Sequence, residues 1–268
     1  MRIRVVDAFA DRPFAGNPAG VCLLPVGAWP DESWMQAVAA ELKHAETAFA
    51  RPSERADADW DLRWFTPVKE VVLCGHATLA TAHALAADGK VAGKVAFATL
   101  SGILIAEVAG DWITLDFPVN RPIETPVPDG LAAALGVEPE AVYVTGELRD
   151  LMVVVPEEPT VLGVTPDLRA IAEITDREKI RGVTVTAASA QYDFVSRFFA
   201  PGSGIPEDPV TGSAHTALAP YWAGRLGRDE LVGYQASPRG GVVRVVSAGD
   251  RVYMRGQALT VLDGELLV

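Results

Sequence analysis

The chain has 268 residues, enough for two domains or one large one. Apolar residues make up 49 % of it, so a substantial core can be buried, and 35 acidic against 23 basic residues give a net charge of −12. That excess argues against nucleic acid as a partner, while leaving room for a local site that holds a small anion. Strands are expected at residues 2–9, 20–24, 47–50, 62–65, 94–99, 103–108 and 112–117, with hairpin turns at Ser101-Gly102 and Ala109-Gly110-Asp111. Later strands are expected at 141–144, 151–155, 182–187, 192–199, 242–247 and 251–255. The last two, 259–262 and 265–268, would lie either side of a turn at Asp263-Gly264.

Helices are fewer. Asp31 is placed to cap a helix whose Met35, Val38, Ala39 and Leu42 fall at i, i+3, i+4 and i+7. Residues 75–87 have helical composition and stop at Asp88-Gly89. Asp129 is expected to cap a short helix ending at Gly136, and Thr165-Pro166 to open another through Ile171. Residues 212–223 form a helix like that of 75–87 and stop at Gly224. Both of these are apolar on most sides, as a helix inside a curled sheet would be. The longest uncharged stretch, 71–87, contains two His and two Thr and reads as a buried helix rather than a membrane span. The opening residues read as a strand without an apolar signal-like region, which makes the cytoplasm the expected address. Two cysteines, Cys22 and Cys74, are too few for a disulfide scaffold, and no Cys/His spacing or glycine-rich loop calls for a metal or a nucleotide.

A composition change at Pro118-Val119-Asn120-Arg121-Pro122 marks a domain boundary. On either side the chain repeats a phrase. Arg63-Trp64-Phe65-Thr66-Pro67 precedes Cys74-Gly75-His76-Ala77, and Arg197-Phe198-Phe199-Ala200-Pro201 precedes Thr211-Gly212-Ser213-Ala214. The arginines are 134 residues apart and the glycines 137, so the second loop is longer. Such self-similarity argues for a duplicated domain. Each Gly-led helix offers unpaired amides and partial positive charge at its start, and Gly75 and Gly212 permit close approach of a ligand. Two such starts across a cleft would cradle a carboxylate.

Four side chains carry candidate chemistry. Glu46, where a polar helix end runs into an apolar strand, is either a solvated surface residue or a desolvated carboxyl group whose raised pKa lets it move a proton. His76, after Gly75, either caps its helix or orients substrate and donates a proton. Asp208 is either structural or a partner for His76 or a substrate amine. Ser213, the counterpart of His76, caps its helix or bonds the substrate. Cys74 is a base only if the helix start lowers its pKa, whereas Cys22 reads as a core residue.

The phrases Val6-Asp7-Ala8-Phe9 with Gly16-Asn17-Pro18-Ala19-Gly20-Val21, Glu46-Thr47-Ala48-Phe49, Cys74-Gly75-His76-Ala77-Thr78-Leu79-Ala80 and Glu207-Asp208-Pro209-Val210-Thr211-Gly212-Ser213-Ala214-His215 together resemble the phenazine-biosynthesis (PhzF-like) family. The resemblance runs through nearly the whole chain. It implies an α+β fold of the diaminopimelate epimerase type: two pseudo-symmetric domains, each a curled, mostly antiparallel sheet around a central helix. The domains would be residues 1–117, completed by 258–268, and 118–257. It further implies a homodimer without a cofactor, and an isomerase in which Glu46 shifts a proton with His76, Asp208 and Ser213 in support. Asn17 matches an Asn near the substrate in the wider superfamily. Two-thiol epimerases carry a Cys before the helix Gly in both halves; here Cys74 is matched by Thr211, which speaks against a two-thiol mechanism. The expected activity is therefore a cofactor-independent proton shift on a small carboxylate. The alternatives are a racemase or epimerase using Cys74, and a non-catalytic protein that binds a small acid.

Overall fold

A computed structural model describes residues 1–268, which divide into two compact units: Met1–Phe117 with Met254–Val268, and Pro118–Tyr253. The first unit contains β1 (Arg2–Ala8), β2 (Asn17–Leu23), α1 (Glu32–Leu42), β3 (Glu46–Pro52), β4 (Trp60–Phe65), β5 (Glu70–Val71), α2 (Gly75–Ala87), β6 (Gly93–Thr99), β7 (Gly102–Ala109) and β8 (Trp112–Pro118). The second contains β9 (Pro122–Thr125), α3 (Leu131–Leu135), β10 (Ala141–Thr145), β11 (Leu151–Val154), α4 (Glu158–Gly163), α5 (Leu168–Glu178), β12 (Val183–Ala188), β13 (Phe194–Ala200), β14 (Ile205–Asp208), α6 (Gly212–Leu226), β15 (Glu230–Gln235) and β16 (Gly241–Ala248). β17 (Arg251–Gly256) straddles the boundary, and β18 (Ala258–Glu265) pairs antiparallel with β1 in the first unit.

The duplication is written in the strand pairings. β1–β2 is antiparallel, β2–β3 parallel, β3–β4 and β4–β5 antiparallel, β4–β6 parallel and β6–β7 antiparallel. The same sequence of senses recurs in β10–β11, β11–β12, β12–β13, β13–β14, β13–β15 and β15–β16. The shared phrase builds the same device twice. Arg63 grips Glu70 with Nε and Nη2 at 2.6 and 2.7 Å, and Arg197 grips Glu207 the same way at 2.7 and 3.0 Å. Each guanidinium also lies over the Phe two residues on, Phe65 or Phe199, at 5.2 and 5.0 Å. Each planar fork thus locks the short strand that leads into a Gly-started helix.

The sheet of the first unit curls around α2, which touches β1, β2, β3, β7 and β18 and is buried on nearly every side from Gly75 to Leu85. Small residues let the strands close in. The two buried threonines return their hydroxyl protons to the helix, Thr78 to the Cys74 carbonyl at 2.5 Å and Thr81 to that of Ala77 at 2.7 Å, so neither hydroxyl is stranded. The other face of β1–β4 carries α1, whose Met35, Val38 and Ala39 join Ile3, Cys22, Phe49 and Phe65 in an outer core. Burial pushes the Cys22 thiol up to about 12, which fits its expected place in the core. In the second unit α6 packs on β15 and β16, while α3, α4 and α5 cover a core of Leu131, Val153, Ile171, Val185 and Phe199.

Several expectations need correction. No turn separates two final strands: β18 runs straight through Asp263-Gly264, because Arg2 bonds Asp263 and Ile3 pairs with Gly264 across the ladder. Gly130, with φ 83°, caps α3 in place of Asp129, and Gly136 ends it with φ 69°. Asp167, accepting from the amides of Arg169 and Ala170, starts α5, which runs to Glu178 rather than Ile171. α6 passes Gly224 and stops at Gly227, whose φ of 67° suits a glycine cap. Asp31 sits at the start of α1 but makes no side-chain cap. The short β5, β9, β14 and α4, and the whole of β15, carry too little periodicity to be expected.

Candidate active site

Strand parity decides what faces α2. Side chains alternate along a strand. On β2 and β3, Cys22 and Phe49 point to α1, and Gly20 is held so close to Leu42 and Thr47 that an added Cβ would lie 2.7 Å from Leu42 Cδ1. Asn17, Ala19, Glu46 and Ala48 therefore point the other way, toward α2. The parallel register sets Ala19 beside Glu46, with Asn17 two residues before it. Asn17 and Glu46 each open a strand, and Cys74 and His76 stand at the start of α2, so three chain segments bring these side chains to one corner of the first unit.

His76 is the centre of that corner. Its Nε2 is 3.4 Å from Glu46 Oε2, and its Nδ1 is 3.3 Å from Asn17 Nδ2 and 3.6 Å from Cys74 Sγ. An amide NH₂ only donates, so Nδ1 accepts and the ring proton stands on Nε2, facing Glu46. At 3.4 Å that approach is loose, and Nε2 makes no well-formed hydrogen bond. Burial, seconded by the charge of His44, pushes the His76 pKa down to about 3. The contact is thus a carboxyl group beside a neutral imidazole. The Glu46 side chain is 13 % exposed, which leaves it reachable yet largely out of water. Neither His76 nor any other side chain caps α2, so the amides of its first turn lie beside the pair without a side-chain cap.

The second unit fills the matching corner with different chemistry. Asp208 is buried, accepts from Thr211 Oγ1 at 2.5 Å, and its carbonyl accepts from Gln235 Nε2 at 2.7 Å. Gln235 Oε1 in turn takes the Thr211 amide at 2.7 Å. Ser213 does not cap α6; its Oγ accepts from Arg181 Nη2 at 2.9 Å. Arg181 forks onto Asp150 at 2.8 and 2.5 Å, beside the start of α6 that carries Gly212. Burial pushes the Asp150 pKa up, against the pull of Arg181. The buried His215, one turn in, gives its Nδ1 proton to the Thr211 carbonyl at 2.8 Å, and burial lowers its pKa to about 4.

The expected residues therefore fall into two groups: Asn17, Glu46, Cys74, Gly75 and His76 in the first unit, and Asp208, Gly212 and Ser213 in the second. Asp150, Arg181 and Gln235 were not expected. The repeat itself was the available signal, since Asp150 precedes β11 and Arg181 precedes β12 much as Asn17 opens β2 and Glu46 opens β3. One donor atom each from Glu46, Cys74 and His76 lies within 4.8 Å of the others, a grouping that sequence spacing did not announce. No helix is long and apolar enough to cross a membrane.

Two copies of a curled, mostly antiparallel sheet with a buried Gly-led helix define the diaminopimelate-epimerase-like class of fold. The structure of a probable proline racemase from Agrobacterium radiobacter superposes with a TM-score of 0.67 over 100 % of this chain and 93 % of that one, at 13 % identity, a likeness of fold alone. Within that class the chain belongs to the phenazine biosynthesis-like (PhzC–PhzF) family, which matches residues 6–264. It is 45 % identical over 269 residues to an uncharacterized isomerase of Halalkalibacterium halodurans, covering 99 % of this chain and 98 % of that protein. A PhzF-family crystal structure from Enterococcus faecalis is 40 % identical, with a TM-score of 0.91 over 100 % of this chain and 99 % of that one.

Proposed function

We propose that the protein is a cofactor-independent isomerase that shifts a carbon-bound proton on a small carboxylate substrate, with Glu46 as the group that takes the proton and returns it. The observation that carries this reading is the Glu46–His76 contact: a mostly buried carboxyl group 3.4 Å from an imidazole that burial keeps neutral. An imidazolium at that place would form an ion pair and drain the carboxylate of basicity. A neutral Nε2–H beside Glu46 leaves that basicity in place. The naming of relatives as isomerases supports the same reading.

In this mechanism Glu46 removes a proton from a carbon next to an electron-accepting group. The first-turn amides of α2 stabilise the negative charge that develops. Glu46, now protonated, delivers the proton on the same face to another carbon over which that charge is delocalised, which shifts the double bond. Acid–base catalysis by one positioned group contributes about 10²–10⁴-fold. Asp208 and Ser213 keep the substrate-orienting roles that the family resemblance implies. Arg181, its charge matched by Asp150, holds the Ser213 hydroxyl beside the start of α6.

A racemase using Cys74 is the second reading, favoured by the 3.6 Å contact of its Sγ with His76 Nδ1. The counterpart Thr211 has no thiol for the opposite face, which weighs against it. The test is a screen of small carboxylates for exchange of carbon-bound hydrogen in heavy water. Exchange with conversion to an isomer supports the proposal; saturable binding without deuterium uptake in any ligand supports a binding protein instead.

A further inference from the structure

We infer that Glu46, Cys74 and His76 form a binding site for a thiophilic divalent cation of the zinc type, and that the cation, when bound, withdraws Glu46 from proton transfer. Three independent features meet here. The donor set is one carboxylate, one thiol and one imidazole, the mixed O, S and N set that zinc accepts. One donor atom of each already lies within 4.8 Å of the other two. His76 Nε2 is buried, points at Glu46 Oε2 and makes no well-formed hydrogen bond. In tetrahedral coordination zinc sits about 2.0–2.3 Å from such donors, which places them about 3.3–3.8 Å apart. The Sγ–Nδ1 and Nε2–Oε2 separations of 3.6 and 3.4 Å fall in that range. A cation on Nε2 and Glu46 engages Cys74 by rotation of its side chain, and the ring proton passes to Nδ1, where Asn17 turns its amide oxygen to accept it.

Binding leaves a fourth position for water. It also requires Cys74 to become a thiolate, its proton passing to solvent, so affinity rises with pH. The Glu46 lone pair that would accept a substrate proton then lies on the metal. Bound cation and bound substrate are mutually exclusive at Glu46, which makes the site inhibitory. This consequence rests on the proton-shift reading of Glu46; the site itself does not.

The experiment loads the purified full-length protein with Co²⁺ and then with Zn²⁺. Wild type and a Cys22→Ala control are expected to show a thiolate-to-cobalt charge-transfer band at one equivalent, displaced by Zn²⁺ and removed by a chelator. Cys74→Ser should lose the band, and His76→Gln should weaken Zn²⁺ binding by about tenfold or more. Circular dichroism of the metal-free variants separates lost ligands from lost folding. In the exchange assay, metal-loaded wild type should be silent and recover with chelator. A wild-type protein without the band, a band that survives Cys74→Ser, or exchange by fully loaded protein at the metal-free rate would overturn the inference. The cobalt band reads the ligands whether or not any substrate turns over, so failure of the site and failure of the isomerase reading are separate results.

Discussion

His76 presents the proton on its Nε2 to Glu46 Oε2 at 3.4 Å, and it does so because its other nitrogen, Nδ1, is engaged as an acceptor. The base and its neighbour are therefore arranged by the tautomer of one ring.

Asn17 sets that tautomer, which makes it a positioning residue. Asn17→Asp replaces a donor by an acceptor at Nδ1, so the ring proton should move to Nδ1 and leave a lone pair facing Glu46. Nitrogen NMR of the histidine is expected to report Nε2–H in the wild type and Nδ1 protonation in the variant. The turnover number should fall by about 10–100-fold, more than the Michaelis constant changes. An unchanged tautomer would remove Asn17 from this role.

The duplicated arginine forks predict a coupled pair. Arg197 and Glu207 have side chains only 12 % and 18 % exposed and pin β14, whose last residue is Asp208. Glu207→Ala leaves a largely buried guanidinium unpaired and should cost about 2–3 kcal/mol. Arg197→Met with Glu207→Met should cost less than the two singles together, with a coupling of about 1–3 kcal/mol in denaturant unfolding. Strict additivity would contradict the pairing.

Gly233 lies against the ring of Phe194, where an added Cβ would fall 2.4 Å from two ring carbons. Backbone parallel pairing between the same residues, Phe194 and Gly233, leaves neither strand room to move. Gly233→Ala should destabilise the protein by about 1–3 kcal/mol, and Phe194→Leu in the same chain should relieve part of that. A thermal melt of the three proteins checks it.

Acid stability follows from His215. Burial lowers its pKa from 6.5 to about 4 in the folded protein, the bond to the Thr211 carbonyl opposing. Between those two values the unfolded chain holds the proton and the native one does not. Stability is therefore full above about pH 6.5 and is lost as pH falls toward 4, by about 3 kcal/mol from this group. His215→Gln should flatten that slope in urea midpoints taken across the window. An identical slope would mean the imidazole titrates normally.

Much of this architecture is legible in the sequence. Both ends of α2 follow from the sequence, because Gly75 opens an unbroken apolar run that Asp88-Gly89 closes, and the Arg-aromatic-Phe phrase marks the repeat. What stayed hidden was long-range. Asp263-Gly264 has the composition of a turn, and Arg2 and Arg4, reached through the β1–β18 ladder, hold it extended. Arg181 and Asp150 meet because β11 and β12 run parallel, a pairing no local pattern encodes. Gln235 sits on a strand disguised by Gly233, whose missing side chain makes sense only once the Phe194 ring is in place. The Asn17–His76 contact is of the same kind, since a ring's tautomer is set by a neighbour 59 residues away.

The most direct test of the central claim is deuterium uptake from heavy water into a responsive small carboxylate, compared for wild type, Glu46→Gln and Cys74→Ala at equal folded concentration. Glu46→Gln should lower the exchange rate by about 10²-fold or more while still binding the ligand, and Cys74→Ala should retain the larger part of it. Exchange at the wild-type rate by Glu46→Gln, or its loss in Cys74→Ala alone, would contradict the account.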